Sequence, residues 1–256
     1  PLLTPFLYHN VFYLFFQGGE DPVHPLELSP RLKVIADMVP QGAALADIGS
    51  DHAYLPIYLL RERRICHAIA GDIHPEPLKR GEKMALAHGV DGIDFRLYDG
   101  LQGLAPQEAD VIVIAGMGGE TIASILQAAD WLQDHPTELL LQPMSKTEFL
   151  RQWLGEHGFV IQKEKLVRDR ENLYVVMQVL PGSSRELSPE EVYGGIGLEH
   201  DPLWELYLQE RIEKLRYIAN GIRRGAALER EKEAAHWEEL ACRLDQLRKE
   251  RINDYS

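Results

Sequence analysis

At 256 residues and 45% hydrophobic content, the chain has material for one full domain plus an appendage, and no run is long and apolar enough to span a membrane. Two cysteines, Cys66 and Cys242, lie far apart in unrelated patterns; this argues against a disulfide framework and for a reducing, cytoplasmic compartment. The net charge of −13 argues against a broad basic footprint, but the charge is uneven: residues 208–251 carry eleven Lys/Arg against nine Asp/Glu, leaving sixteen against thirty-one elsewhere.

Residues 1–25 read as a leader or tag remnant. Four of the seven phenylalanines (Phe6, Phe12, Phe15, Phe16) fall there without a signal-peptide layout, and Leu14-Phe15-Phe16-Gln17-Gly18 resembles a tag-cleavage sequence. Ser29-Pro30-Arg31-Leu32 then opens a helix, with serine at the N-cap and proline at the first helical position. Residues 43–47 predict a first strand, followed by a helix through Leu55, Leu59 and Leu60. A second strand over 67–73, a helix through Leu78 and Met84, and a third strand over 93–98 follow. Residues 110–115 are continuously apolar, as a parallel strand buried on both faces requires, and they run into the loop Gly116-Met117-Gly118-Gly119. A helix through Ile122 and Leu126, a fifth strand over 139–143 and a helix over 149–157 come next. Residues 159–161 and 173–180 lack an intervening helical pattern and predict a terminal antiparallel pair.

These residues make the domain, over 26–184, a doubly wound α/β sheet. Residues 185–256 predict a glycine-rich connector and an antiparallel helical hairpin. Each hairpin helix is expected to run about 20 residues, with apolar seams through Leu208, Ile212, Leu215, Ile218 and Ile222, and through Trp237, Leu240, Ala241, Leu244 and Leu247. The break is expected near residues 221–225.

The chemistry concentrates in Asp47-Ile48-Gly49-Ser50-Asp51-His52-Ala53-Tyr54-Leu55-Pro56, a strand end, tight turn and helix start where open α/β sheets bind nucleotides. Only Gly49 is present of the three glycines in the dinucleotide fingerprint, which disfavours a pyrophosphate. Three strand ends present an acid: Asp47, Asp72 and Asp99. A single strand-end aspartate is ordinarily a helix cap, but three at successive parallel strands converge on one crevice. Asp72 is placed to accept both ribose hydroxyls, Asp99 an adenine amine, and Asp47 an ammonium group. A ribose, an adenine, a cation and no phosphate describe S-adenosylmethionine.

With Ile114-Ala115-Gly116-Met117-Gly118-Gly119 and Leu141-Gln142-Pro143, the segment at 47–56 resembles the bacterial tRNA (adenine-22 N1)-methyltransferase family over roughly residues 28–252. The resemblance implies a Rossmann-like, seven-stranded class I methyltransferase domain with a C-terminal coiled-coil hairpin, S-adenosylmethionine as cofactor and tRNA as substrate. Carried over by position, Asp47, Gly49, Asp72, Asp99 and Gly100 match the cofactor pocket, to which Ile73, Ala115 and Gly116 are added as neighbours. His52, Tyr54 and Met117–Gly119 match the rim facing the target base. Met144 stands where the family commonly has asparagine.

Adenine N1 carries a lone pair, so methylation needs placement rather than prior deprotonation. Asp51 is the candidate acceptor for the N6 amine, His52 either touches the base or caps the helix, and Tyr54 either stacks on a flipped adenine or packs on the first helix. Arg211, Lys214, Arg223, Arg224, Arg230 and Lys232 are candidate phosphate ligands on the hairpin. Truncation after Ser184 is expected to preserve cofactor binding and abolish tRNA methylation. His67, His88, His157 and His236 show no metal-ligand spacing, so no metal is expected. The expected assembly is a monomer or weak dimer. Two other readings stay open: a methyltransferase of another acceptor, and a non-catalytic cofactor-binding scaffold.

Overall fold

A computed structural model describes residues 26–224 and 228–254; the expected leader and Gly225, the last residue of the expected hairpin break, lie outside them. The chain alternates strand and helix: α1 (Pro30–Met38), β1 (Ala43–Ile48), α2 (Tyr54–Arg61), β2 (Ile65–Asp72), α3 (Pro75–Ala87), β3 (Ile93–Leu97), β4 (Val111–Gly118), α4 (Gly119–Gln127), β5 (Glu138–Ser145) and α5 (Thr147–Glu156). It closes with β6 (Phe159–Asp169), β7 (Asn172–Pro181), α6 (Pro189–Gly194), α7 (Trp204–Arg223) and α8 (Leu228–Asp254). The seven strands lie in the order β3-β2-β1-β4-β5-β7-β6, with β1 to β5 parallel and β7 antiparallel to both neighbours. Strand order reverses between β1 and β4, and ligands bind at such a switch point.

The apolar strands separate two buried layers. Ala46, Ile48, Ile112, Ile114, Leu139 and Leu141 face α4, α5 and the hairpin, whereas Leu45, Val111, Val113 and Leu140 face α1 and α2. Ser29 accepts a hydrogen bond from the Leu32 amide and Pro30 opens α1, as the sequence predicts. Among the described residues no helix is long and apolar enough to cross a membrane.

Several elements differ from the sequence reading. β6 runs for 11 residues rather than three, because Gln162-Lys163-Glu164-Lys165 continues the strand through a register shift after Ile161. In this edge strand only Glu164 of that polar run is buried, so the apolar pattern lapses while the ladder persists. Residues 189–194 form a short helix inside the expected connector, signalled by a capping box: the Glu191 amide donates to the Ser188 hydroxyl and the Ser188 amide to the Glu191 carboxylate. The expected loop at 116–119 is the end of β4 and the start of α4, with register shifts on either side of Met117.

The hairpin is not a detached unit. Leu198, Trp204, Tyr207, Leu208, Ile212, Leu215, Leu240, Ala241 and Leu244 belong to the same buried cluster as β4, β5, α4 and α5. Within the contact, Arg151 of α5 is fully buried. Its Nε donates to Glu164 Oε1 at 2.8 Å, and its Nη1 to the Val192 carbonyl at 2.8 Å and the Tyr207 hydroxyl at 3.0 Å. Glu164 Oε2 accepts from the Ile196 amide at 2.7 Å. α7 is 20 residues long as expected, but α8 extends to 27.

Candidate active site

Two crevices open at the carboxyl edge of the sheet and share Gly49. The first, about 650 Å³, is lined by Ile48, Gly49, Asp72, Ile73, His74, Tyr98, Asp99, Gly100, Met117, Glu120, Thr121, Ser124 and Ile125. The second, about 350 Å³, is lined by Arg31, Leu32, Asp47, Gly49, Ser50, Asp51, Tyr54, Leu55, Ala115, Gly116 and Met144. Gly49 adopts φ +75°, and a Cβ there would stand 2.2 Å from Met117 Cε, so the missing side chain is what lets the two walls approach.

In the first crevice, β2 delivers Asp72 to its last position, and Asp72 Oδ1 accepts the His74 amide at 2.8 Å as α3 begins. The wall holds Asp72, Asp99 and Glu120, the last paired with Lys146 at 3.1 Å, and no lysine or arginine lines it. That lining suits a cation and opposes a phosphate. Tyr98 was missed by sequence reasoning. Its ring occupies the space that side chains at Gly71 and Gly103 would fill, and burial pushes its phenol up to about 12. The hint was two glycines in the strand and turn beside an aromatic.

In the second crevice, Asp47 is buried and accepts from the Ser50 hydroxyl at 2.5 Å. Burial pushes its carboxyl up to about 6; the Ser50 hydrogen bond opposes this and the Asp72 charge adds to it. Gln142, fully buried within β5, accepts from the Gly116 amide at 3.2 Å and from Arg31 Nη1 at 3.0 Å, while its Nε2 donates to the Pro143 carbonyl at 2.9 Å. Arg31 also donates from Nε to Asp169 at 2.8 Å and lies 5.1 Å from the Tyr174 ring centroid. Neither Arg31 nor Gln142 was assigned a role from sequence. The available signal was a glutamine ending an otherwise buried apolar strand.

The expected sites map onto this geometry with exchanges. Asp72, Ile73, Asp99, Gly100 and Gly49 line the first crevice, whereas Asp47, Ala115 and Gly116 line the second. Met117, expected on the base-facing rim, lines the first, because the register shifts around it in β4 turn its side chain toward Gly49. Tyr54 and Asp51 line the second crevice. His52 lines neither; its ring stacks on Tyr54 with centroids 5.4 Å apart and planes at 26°. His52 and Ala53 both take positive φ, at 61° and 52°, so α2 starts at Tyr54 rather than within Asp51-His52. Asp51 is exposed and bound to Arg80 Nη2 at 2.6 Å, so its carboxylate already has a cationic partner.

On the hairpin, three candidate phosphate ligands are engaged within the protein. Lys214 pairs with Glu148 at 2.9 Å, Arg223 lies 3.3 Å from Glu231, and the Arg211 guanidinium lies 5.1 Å from the Tyr207 ring centroid. Arg224, Arg230 and Lys232 are exposed.

Comparison with known proteins agrees with this geometry. A family model described as "Methyltransferase domain" matches residues 28–177. The tRNA (adenine(22)-N(1))-methyltransferase of Bacillus subtilis is 36% identical over 177 residues, covering 69% of this chain and 72% of the relative. The crystal structure of the B. subtilis M1A22 tRNA methyltransferase TrmK superposes with a TM-score of 0.76 at 30% identity, covering 86% of this chain and 99% of that one. A Streptococcus pneumoniae protein in complex with S-adenosyl-L-methionine superposes with a TM-score of 0.73 at 34% identity, covering 85% and 99%. By this identity and coverage, the chain belongs to the tRNA (adenine(22)-N(1))-methyltransferase family.

Proposed function

We propose that the chain transfers a methyl group from S-adenosylmethionine to N1 of adenine 22 in tRNA, acting in the cytoplasm where that substrate resides. The observation that carries the reading is the acid-lined first crevice, free of lysine and arginine, joining at Gly49 a second crevice walled by Tyr54, Ala115, Gly116 and Met144. The first holds a cationic nucleoside without phosphates, and the second has room for a flipped base.

When bound, S-adenosylmethionine supplies an electrophilic methyl on a sulfonium. Asp72 would receive the ribose hydroxyls, Asp99 would serve the adenine end, and Asp47 would balance the ammonium group across Gly49. The chain's task is placement: Tyr54 and Met144 flank the adenine and keep N1 in line, about 3 Å from the methyl carbon. Methyl transfer would carry positive charge from the cofactor to the base. The Asp47 carboxylate lining the second crevice favours that displacement, with Gln142 fixing the Gly116 backbone beside it. Asp51, held by Arg80, serves the shape of the His52–Tyr54 turn rather than the N6 amine.

Asp47 makes cofactor affinity pH-dependent. Its carboxyl is held up at about 6, so it is largely ionised at pH 7.5 and increasingly neutral below 6. The S-adenosylmethionine Kd is expected to rise as pH falls through 6, by up to about tenfold per pH unit. Calorimetric titration between about pH 5 and 7.5 checks this; Asp47→Asn is expected to bind more weakly and with a flat profile.

Incubating the protein with unmodified bulk tRNA and methyl-labelled cofactor, then analysing nucleosides, tests the activity. The expected product is N1-methyladenosine. A different methylated nucleoside points to another acceptor position, and cofactor binding without transfer to tRNA contradicts the proposal.

A further inference from the structure

We propose that Tyr217 is a stacking platform for an unpaired nucleotide of the RNA, beside the adenine being methylated; this rests on the tRNA reading above. Two contacts set the direction of α7. Tyr207 meets Arg151 in the middle of α5, and Lys214 Nζ meets Glu148 Oε1, at 2.9 Å, in the first turn of α5. α7 therefore passes from the middle of α5 toward its first turn and comes to the catalytic edge of the sheet near Lys214. β5 ends there too, carrying Met144 of the second crevice. At 1.5 Å per residue, Tyr217 lies about 5 Å and Arg224 about 15 Å further along the helix, beyond that edge.

Positions 214, 217, 221 and 224 share one helical face, while Leu208, Ile212, Leu215 and Ala219 are buried. Tyr217 is 79% exposed, so its ring adds little to the core. One turn on, a Cβ at Gly221 would meet nothing within 4 Å, so the face beside the ring is open. Arg224, exposed, lies about two turns beyond the ring, whereas Lys214, one turn before it, is held by Glu148 and the neighbouring Glu213 is exposed; Met144 and Phe149, each 40% exposed, add apolar surface near the start of α5. An exposed aromatic ring with an exposed arginine further along the same face matches the way proteins hold single-stranded nucleotides: stacking for the base, charge for the backbone. Flipping the target base unstacks its neighbours, and Tyr217 gives one of them a replacement surface.

The test compares wild type with Tyr217→Ala, Tyr217→Trp and Tyr217→Leu in the full chain, using steady-state kinetics on a tRNA transcript and cofactor titration. Tyr217→Ala is expected to raise the KM for tRNA roughly 5- to 100-fold, leaving kcat, cofactor Kd and thermal midpoint close to wild type. Tyr217→Trp is expected to retain the wild-type KM, and Tyr217→Leu to behave like Tyr217→Ala, because leucine covers surface but has no π-face. An unchanged KM in Tyr217→Ala, or full rescue by leucine, overturns the stacking role. Failure of the underlying tRNA reading is a separate result: wild type itself then methylates no tRNA.

Discussion

A chain ending at Ser184 is expected to lose the folded methyltransferase core, not only its activity on tRNA. The sequence pattern suggests a separable hairpin whose removal spares cofactor binding, but the buried contacts argue otherwise. Truncation strips Leu198, Trp204, Tyr207, Leu208, Ile212, Leu215 and Leu244 from the layer covering α4, α5 and the sheet. At about 1.5–3 kcal/mol for each large buried side chain, the loss rivals the ~5–15 kcal/mol that holds a whole domain together. It also removes the Val192 carbonyl and Tyr207 hydroxyl from Arg151 and the Ile196 amide from Glu164, leaving a once fully buried ion pair short of partners. The expected readout is insoluble or non-cooperatively melting protein with no measurable cofactor binding. A monomeric 1–184 fragment that melts cooperatively and binds S-adenosylmethionine at wild-type affinity would contradict this. In the full chain, Arg151→Ala leaves Glu164 as a buried carboxylate without its cation, an expected cost of about 3–5 kcal/mol by denaturant titration.

Asp72→Ala is the second large effect. Asp72 closes β2 at the first crevice with one oxygen engaged by the His74 amide. A carboxylate receiving two ribose hydroxyls makes two charge-assisted hydrogen bonds, at about 1.5–3 kcal/mol each. Their loss predicts a rise of at least about 100-fold in cofactor Kd, with a smaller rise for Asp72→Asn, which keeps one acceptor. Because Asp72 is partly exposed at a strand end, the thermal midpoint is expected to move little. Wild-type cofactor affinity in Asp72→Ala would remove the ribose from this position.

The elements that position the cofactor were readable because their physics is local. A parallel strand buried on both faces must be continuously apolar, as 111–114 is, and its acid or glycine terminus marks the binding edge. What escaped depends on tertiary partners. β6 hides behind Gln162-Lys163-Glu164-Lys165, and Glu164 is buried only because Arg151 is opposite it. Arg151 itself scores as a surface residue in any hydropathy pattern, so the joining of hairpin to sheet could not be seen. The side chain of Met117 lines the first crevice against Gly49, and the register shifts that turn it there leave no trace in composition. Arg31 and Gln142 meet across 111 residues of sequence. Ser188-Pro189-Glu190-Glu191, by contrast, was a legible helix start overlooked beside the glycines that follow it.

In the proposed reaction, cofactor and target adenine meet at Gly49, with N1 of adenine 22 as acceptor. The direct measurement is methyl transfer by the full chain to two tRNA transcripts differing only at position 22, adenine in one and guanine in the other. About one N1-methyladenosine per adenine-22 transcript is expected, and none on its partner. Equal methylation of both, or none on either by protein that binds S-adenosylmethionine, would contradict it.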